Sequence, residues 1–304
     1  MRALITGSEG FVGKYLRREL ENAGYEVIGL SRKAAAGCIR GDLAEYSEAQ
    51  RIVREADADV IFHLAGQADV GLSWRDPAGT TEANVMNTLR LLDAVRGYKA
   101  DTRLLVVGSS DEYGILGEAG RLVQEELPLR PVSPYAVSKA AQEALAAAYV
   151  RAYSMNISMT RSFNHCGAGQ RRGFITADLA SGIAAIERAE QDRLPIGNLD
   201  SERDYTHVSD VARAYRLLAE KGTAGQVYNV GSGTSHSGHE LLHTLIEMAR
   251  VPVRTELDPT RLRPSDTPVI CADNSRLRRE TGWAPTVSFR DMLADVLQYW
   301  RSNK

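Results

Sequence analysis

The sequence predicts an α/β fold, a parallel sheet with helices packed on it and a smaller, partly interleaved C-terminal lobe. Three features carry this expectation. Through the first two-thirds of the chain, short apolar runs alternate with longer helical patterns, the rhythm of βαβ units. A glycine-rich turn, Thr6-Gly7-Ser8-Glu9-Gly10-Phe11-Val12-Gly13, joins the first apolar run to the first helical stretch. From about Asn164 the rhythm breaks: Gly167, Gly169 and Gly173 punctuate a loop around Arg171 and Arg172, and Pro259, Pro264 and Pro268 space out a later stretch.

Taken in order, strands are expected at Ala3–Thr6, Glu26–Leu30, Val60–Leu64, Leu104–Gly108 and Ile157–Phe163. Helices are expected between them at Phe11–Asn22, Glu82–Val95 and Tyr135–Tyr153. Gly24 stands where a glycine stops the first helix. Ser133 and Pro134 make an N-cap and first-turn pair for the helix that carries Tyr135. Asp204–Leu218 reads as a strand end followed by a helix, and Val227–Val230 as a further strand. The expected division is a dinucleotide-binding part at residues 1–163 with a returning segment at about 204–230, and a substrate lobe at 164–203 and 231–304. No internal repeat or low-complexity tract interrupts it.

Composition bounds the function. At 304 residues and 33.3 kDa, with 43% hydrophobic and 25% charged residues, the chain has the make-up of an ordinary globular protein. A net charge of −2 offers no basic field to a polyanion, so no nucleic-acid partner is expected. Cys38, Cys166 and Cys271 are odd in number and widely spaced, which argues against a disulfide framework and for a reducing cytoplasm. Gly7 follows Met1 too closely for a signal-peptide apolar region, and no run of about 18 apolar residues exists to span a membrane.

The glycine turn follows a strand and opens a helix, where glycines let the backbone approach a pyrophosphate at the helix N-terminus. Gly7, Gly10 and Gly13, with Phe11 and Val12 between them, are therefore candidate cofactor ligands. The spacing does not fit a P-loop, in which Tyr15 would have to be Ser or Thr. An NAD site would place an acid about 20 residues on, at the end of the second strand. That strand instead ends Leu30-Ser31-Arg32-Lys33. Ser31 as a donor and Arg32 as a planar cation suit a 2′-phosphate, which favours NADP(H), with NAD(H) the other option.

His239-Glu240-Leu241-Leu242-His243 spells a zinc-protease pattern. On a helix, Leu241, Leu242, Leu245, Ile246 and Ala249 form the apolar stripe, and His239, His243, Glu247 and Arg250 fall on the opposite, solvated face. A catalytic zinc needs a third ligand and an enclosed pocket, so no metal is expected.

The chemistry is concentrated in Gly108-Ser109-Ser110-Asp111-Glu112-Tyr113-Gly114 and Pro134-Tyr135-Ala136-Val137-Ser138-Lys139. The Tyr-x-x-x-Lys spacing puts Tyr135 and Lys139 on one helix face, one turn apart. An ammonium there lowers a tyrosine pKa from about 10 towards the working pH, and such a phenol can protonate an oxyanion forming on a carbonyl carbon. Ser109, at the carbonyl end of a strand, is placed to donate to that carbonyl, though a serine there also serves as a cap. Asp111 and Glu112 point to opposite sides if the stretch is extended, so at most one faces the site, and Asp111 is favoured.

With the glycine turn ahead of it, this set resembles the extended short-chain dehydrogenase/reductase family. The resemblance implies a Rossmann-type doubly wound parallel sheet with a nucleotide-sugar-binding lobe. It implies that Asp42, followed by Leu43, meets the adenine amino group and that Leu64, Ala65 and Gly66 line the cofactor. Lys139 would also hold the nicotinamide ribose beside Tyr135. Segments such as Ser162-Phe163-Asn164-His165, Arg203-Asp204 and Arg263-Pro264-Ser265-Asp266 resemble the GDP-mannose 4,6-dehydratase and GDP-4-keto-6-deoxymannose reductase branch. In that branch the matching positions bind a GDP-sugar: Asn164, Arg203 and Arg263 at the diphosphate, Asp266 at the guanosine ribose, with Ser110 beside the sugar. Its 4,6-dehydratases carry Thr at position 109 and Glu at position 111, the Glu acting as base at C5. Here the residues are Ser109 and Asp111, which withdraws the carboxylate by about 1.5 Å.

The resemblance therefore implies an NADPH-dependent reductase of GDP-4-keto-6-deoxy-D-mannose that forms GDP-D-rhamnose, and the composition places it in the cytoplasm. A homodimer is expected from the helix itself, where Ala140, Ala141, Ala144, Ala147 and Ala148 allow close helix–helix approach, and burial of that stripe within the subunit is the other reading. A 4,6-dehydratase, a 4-epimerase, a reductase forming GDP-6-deoxytalose, and a non-catalytic dinucleotide sensor are the alternatives.

Overall fold

The computed structural model describes residues 1–114, 122–261 and 268–303. Seven strands form one sheet, in the spatial order Val227–Val230, Ile157–Ser162, Arg103–Ser109, Val60–His63, Arg2–Thr6, Glu26–Ser31 and Cys38–Arg40. All neighbours run parallel. The strand order reverses between Arg2–Thr6 and Val60–His63, and a doubly wound sheet opens its ligand crevice at the carboxyl ends flanking such a point.

Alternation along the strands divides the core in two. Leu4, Ile61 and Leu104 point to one face, where they meet Ile52, Leu91 and Ala146 from the helices Tyr46–Ala56, Asn87–Tyr98 and Pro134–Tyr153. Ala3, Ile5, Phe62 and Leu105 point to the other, against Leu16, Leu20, Val211 and Leu218 from Phe11–Asn22 and Val208–Lys221. A period of two residues puts neighbours on opposite faces of a strand, so both faces are apolar and both are covered.

A second sheet is built from short strands scattered along the chain: Ser235–Ser237, Glu202–His207, Val269–Ala272 and Leu122–Val123, with Asn164–Cys166 also pairing Glu202–His207. Its apolar support comes from the helices Ile175–Glu187, Gly238–Glu247 and Phe289–Ser302.

Three local features differ from the sequence expectation. Glu202–His207 belongs to this second sheet, so the chain returns to the large one at Val208 rather than at 204. The expected helix Glu82–Val95 is a π-helical turn, Glu82–Met86, followed by an α-helix, Asn87–Tyr98. The stretch after Ser109 is a 3₁₀ turn, Ser110–Tyr113, rather than extended chain.

Candidate active site

The glycine turn is dictated by crowding. Gly7 has φ +76°, and a β-carbon on it would press against the backbone of Ala65 on the neighbouring strand end. A β-carbon on Gly13 would drive into the Gly7 carbonyl, so the helix can seat on the turn only with glycine there. Gly10 is the N-cap of Phe11–Asn22 and supplies no side chain to the first-turn amides, including those of Phe11 and Val12. Those amides and the positive end of the helix dipole are free to take a pyrophosphate. Ser8, buried, donates to the Leu30 carbonyl at 3.3 Å and ties the turn to the second strand.

At the end of that strand, Ser31 pairs in register with Arg40, and Arg32 is exposed beside it. The Ser31 hydroxyl oxygen accepts from the Lys33 amide at 3.2 Å, which turns the chain there. Asp42 is exposed and caps Ala44, whereas Leu43 is buried in the core. A cationic edge without a carboxylate on the strand end fits a 2′-phosphate.

The Leu64-Ala65-Gly66 strand end is held from below by buried polar groups. Thr6 Oγ1 bonds His63 Nδ1 at 2.8 Å and accepts from the Ala65 amide at 3.1 Å, while His63 Nε2 bonds Thr88 Oγ1 at 2.9 Å. Burial, helped by the Lys139 charge, pushes His63 down to about 3, so it is a neutral strut. Asn84, inside the π-helical turn, accepts from the Gln67 amide at 2.7 Å and donates to Ser138 at 2.8 Å. Its side-chain oxygen fills the space a side chain on Gly66 would need, and Lys139 Nζ lies just beyond. The glycine strand end and the catalytic helix are thereby brought to one place.

Ser109, Tyr135 and Lys139 converge there, each under 10% exposed. The Tyr135 phenol lies against the Ser109 hydroxyl, which favours its ionised form. Burial and the Asp111 charge outweigh that contact and hold the phenol well above its ordinary range. This corrects the expectation that Lys139 lowers the Tyr135 pKa: Lys139 Nζ is committed to the Val107 carbonyl at 2.8 Å and to Gln142 at 2.9 Å. Burial pushes the lysine itself below its ordinary value.

The 3₁₀ turn assigns the two carboxylates. Ser109 is its N-cap, with Oγ accepting from the Asp111 amide at 3.2 Å, which is the capping reading of this serine. Glu112 turns inward, fully buried, and accepts from the Ser109 amide at 2.7 Å. Asp111 turns outward to an accessible position, yet the protein around it raises its carboxyl pKa, with Arg203 pulling the other way. Ser110 is buried, which leaves it little surface to offer a sugar.

Of the expected substrate ligands, Arg203 lies on the strand Glu202–His207, partly buried, and donates to its neighbour's carbonyl at 2.7 Å. Asn164 is exposed on the adjoining strand, in register with Tyr205. Arg263 and Asp266 lie outside the described residues. His239 and His243 face solvent, paired with Asp200 at 3.1 Å and Glu247 at 3.3 Å. Among the described residues no group of three or more His, Cys, Asp or Glu is placed to hold a metal ion. Sequence reasoning set Glu112 aside in favour of Asp111 and passed over Asn84 and Gln142, which no local pattern marks.

Residues 4–296 match the family described as GDP-mannose 4,6 dehydratase. GDP-6-deoxy-D-mannose reductase of Pseudomonas aeruginosa is 35% identical over 99% of this chain and 97% of its own length. GDP-mannose 4,6-dehydratase of Vibrio cholerae is 28% identical over 97% and 92%. Among solved structures, RMD from Pseudomonas aeruginosa complexed with NADPH superposes with a TM-score of 0.91 at 34% identity, covering both chains fully. UDP-glucose 4-epimerase of Thermus thermophilus with NAD superposes at 0.89, with 28% identity and full coverage of both chains.

Proposed function

The chain belongs to the GDP-mannose 4,6-dehydratase family, and from that premise we propose that it is a reductase of GDP-4-keto-6-deoxy-D-mannose that forms GDP-D-rhamnose. NADPH supplies the hydride that reaches sugar C4. Tyr135, kept protonated by burial and by Asp111, gives its proton to the oxygen at C4 as charge develops there. Ser109 donates to the same oxygen and orients the carbonyl. Lys139, one turn along the helix, holds the nicotinamide ribose.

The observation that carries the reductase reading is the 35% identity to GDP-6-deoxy-D-mannose reductase over nearly the whole of both chains, taken with the short carboxylate of Asp111. The Arg203 charge acts on that carboxylate against the burial that raises its pKa. A base for C5 would need a carboxylate within hydrogen-bond reach of that carbon's proton. Arg203 and Asn164, with Arg263 and Asp266, make up the proposed GDP-sugar site. Free Cys38, Cys166 and Cys271 support a reducing, cytoplasmic setting.

The test offers two substrates. With GDP-4-keto-6-deoxy-D-mannose and NADPH, the protein is expected to consume cofactor in step with product. With GDP-mannose and NADP⁺ it is expected to form no 4-keto-6-deoxy sugar. Efficient dehydration of GDP-mannose with no net change in NADPH absorbance would overturn the reading.

A further inference from the structure

We propose that Glu112 is a positioning residue of this site, the buried counter-charge that keeps Lys139 cationic while it fixes Ser109. The inference rests on the proposed cofactor site but on no particular sugar. Lys139 Nζ grips the Val107 carbonyl and Glu112 grips the Ser109 amide, so the two side chains bracket one three-residue stretch of strand. The Glu112 carboxylate fills the space beneath Gly108, fully buried, and its second oxygen has no hydrogen-bond partner. That orphan oxygen lies 3.9 Å from Arg161 Nε, whose guanidinium is already held by Glu143 at 2.7 and 2.8 Å. Arg161 is thus shared with Glu143, and a carboxylate buried without a full partner is costly unless a second cation adds its charge.

Lys139 is that cation. The groups facing Glu112 are Lys139, Glu143 and Tyr135 from the helix Pro134–Tyr153 and Arg161 from the strand Ile157–Ser162. Burial drives both Glu112 and Lys139 towards their neutral forms, and each opposes that drift in the other. Without the glutamate charge, the lysine would lose its proton at lower pH, and with it the ability to donate to the cofactor ribose.

The experiment measures NADPH affinity by fluorescence between pH 6 and about 10 for the full-length protein and its variants Glu112→Gln and Glu112→Leu. Gln keeps the acceptor for the Ser109 amide without the charge. Leu removes both, so a shift shared by the two variants follows the charge and not the lost acceptor. In both, the alkaline loss of affinity is expected to begin about one pH unit lower than in the unmodified protein, the size of effect a nearby opposite charge has on a pKa. In Lys139→Ala that limb should disappear. An unmoved midpoint in the Glu112 variants, with only the melting temperature changed, would reduce Glu112 to a cap and overturn the proposal, as would a limb that survives Lys139→Ala. No sugar is present, so a protein that fails to reduce the proposed ketone still answers this question.

Discussion

Tyr135 and Arg32 carry the predictions that belong to single side chains. Burial and the Asp111 charge keep the Tyr135 proton in place above the ordinary phenol range, as a general acid waiting for an oxyanion requires. Tyr135→Phe should lower kcat by at least about 100-fold, the usual worth of such a group, with NADPH affinity nearly unchanged in a fluorescence titration. Full turnover in that variant would remove Tyr135 from the chemistry. Arg32 is exposed at the end of the second strand, the position proposed for the 2′-phosphate. Arg32→Ala should weaken NADPH more than NADH, read as the ratio of their dissociation constants; equal losses would place the 2′-phosphate elsewhere. At this scale Ser109, Tyr135 and Lys139 are legible in the sequence because their spacing fixes their side of a helix or strand end. Glu112 is not. Reading Ser110–Tyr113 as extended sets Glu112 opposite Asp111 but gives it no partner, and the 3₁₀ geometry is what brings it under Ser109.

Helices and strands are legible in proportion to how locally they are determined. The strands of the large sheet that carry their own apolar run are read nearly to their ends. Cys38–Arg40 escapes because three residues of mixed polarity leave no pattern. The second sheet escapes because its strands are short and owe their existence to distant partners, as where Leu122–Val123 pairs with Cys271–Ala272. The π-helical turn is invisible to a period of 3.6 residues, although Asn84 at its centre holds the Gly66 strand end. Contacts between helices yield their own prediction. Glu187, closing the helix Ile175–Glu187, accepts from Arg301 at 2.6 and 2.8 Å and from the Arg250 amide at 2.9 Å, joining three elements. The Arg301 guanidinium holds this carboxyl below its ordinary pKa. A depressed folded pKa means stability that is present above the unfolded value, about 4.3, and lost as pH falls through the folded one. The melting-temperature gap between the unmodified protein and Glu187→Gln should therefore be widest near neutrality and close on acidification; a gap independent of pH would show that the charge contributes nothing.

For the molecule as a whole, the surface of the catalytic helix points to self-association. Val137 and Ala144 are exposed and Ala140, Ala141 and Ala148 only partly covered, leaving an apolar face of small residues on Pro134–Tyr153. A homodimer through that face should appear in light scattering at micromolar concentration, and a monomer there would refute it. Among the described residues no helix is long and apolar enough to cross a membrane. The path of the backbone has a further consequence. Between Ser109 and Tyr135 the chain leaves the large sheet, adds Leu122–Val123 to the small one, and comes back. It crosses again at Asn164–Cys166 and returns with Val208–Lys221, and near its end Leu277 and Trp283 pack into the core of the large sheet. No single cut therefore yields two self-sufficient pieces. A fragment stopped before Val227 lacks an edge strand, and one stopped before Val269 lacks the strand that Leu122–Val123 pairs with. Melting should accordingly be one cooperative event, and during synthesis the reacting groups can be assembled only when nearly the whole chain has emerged.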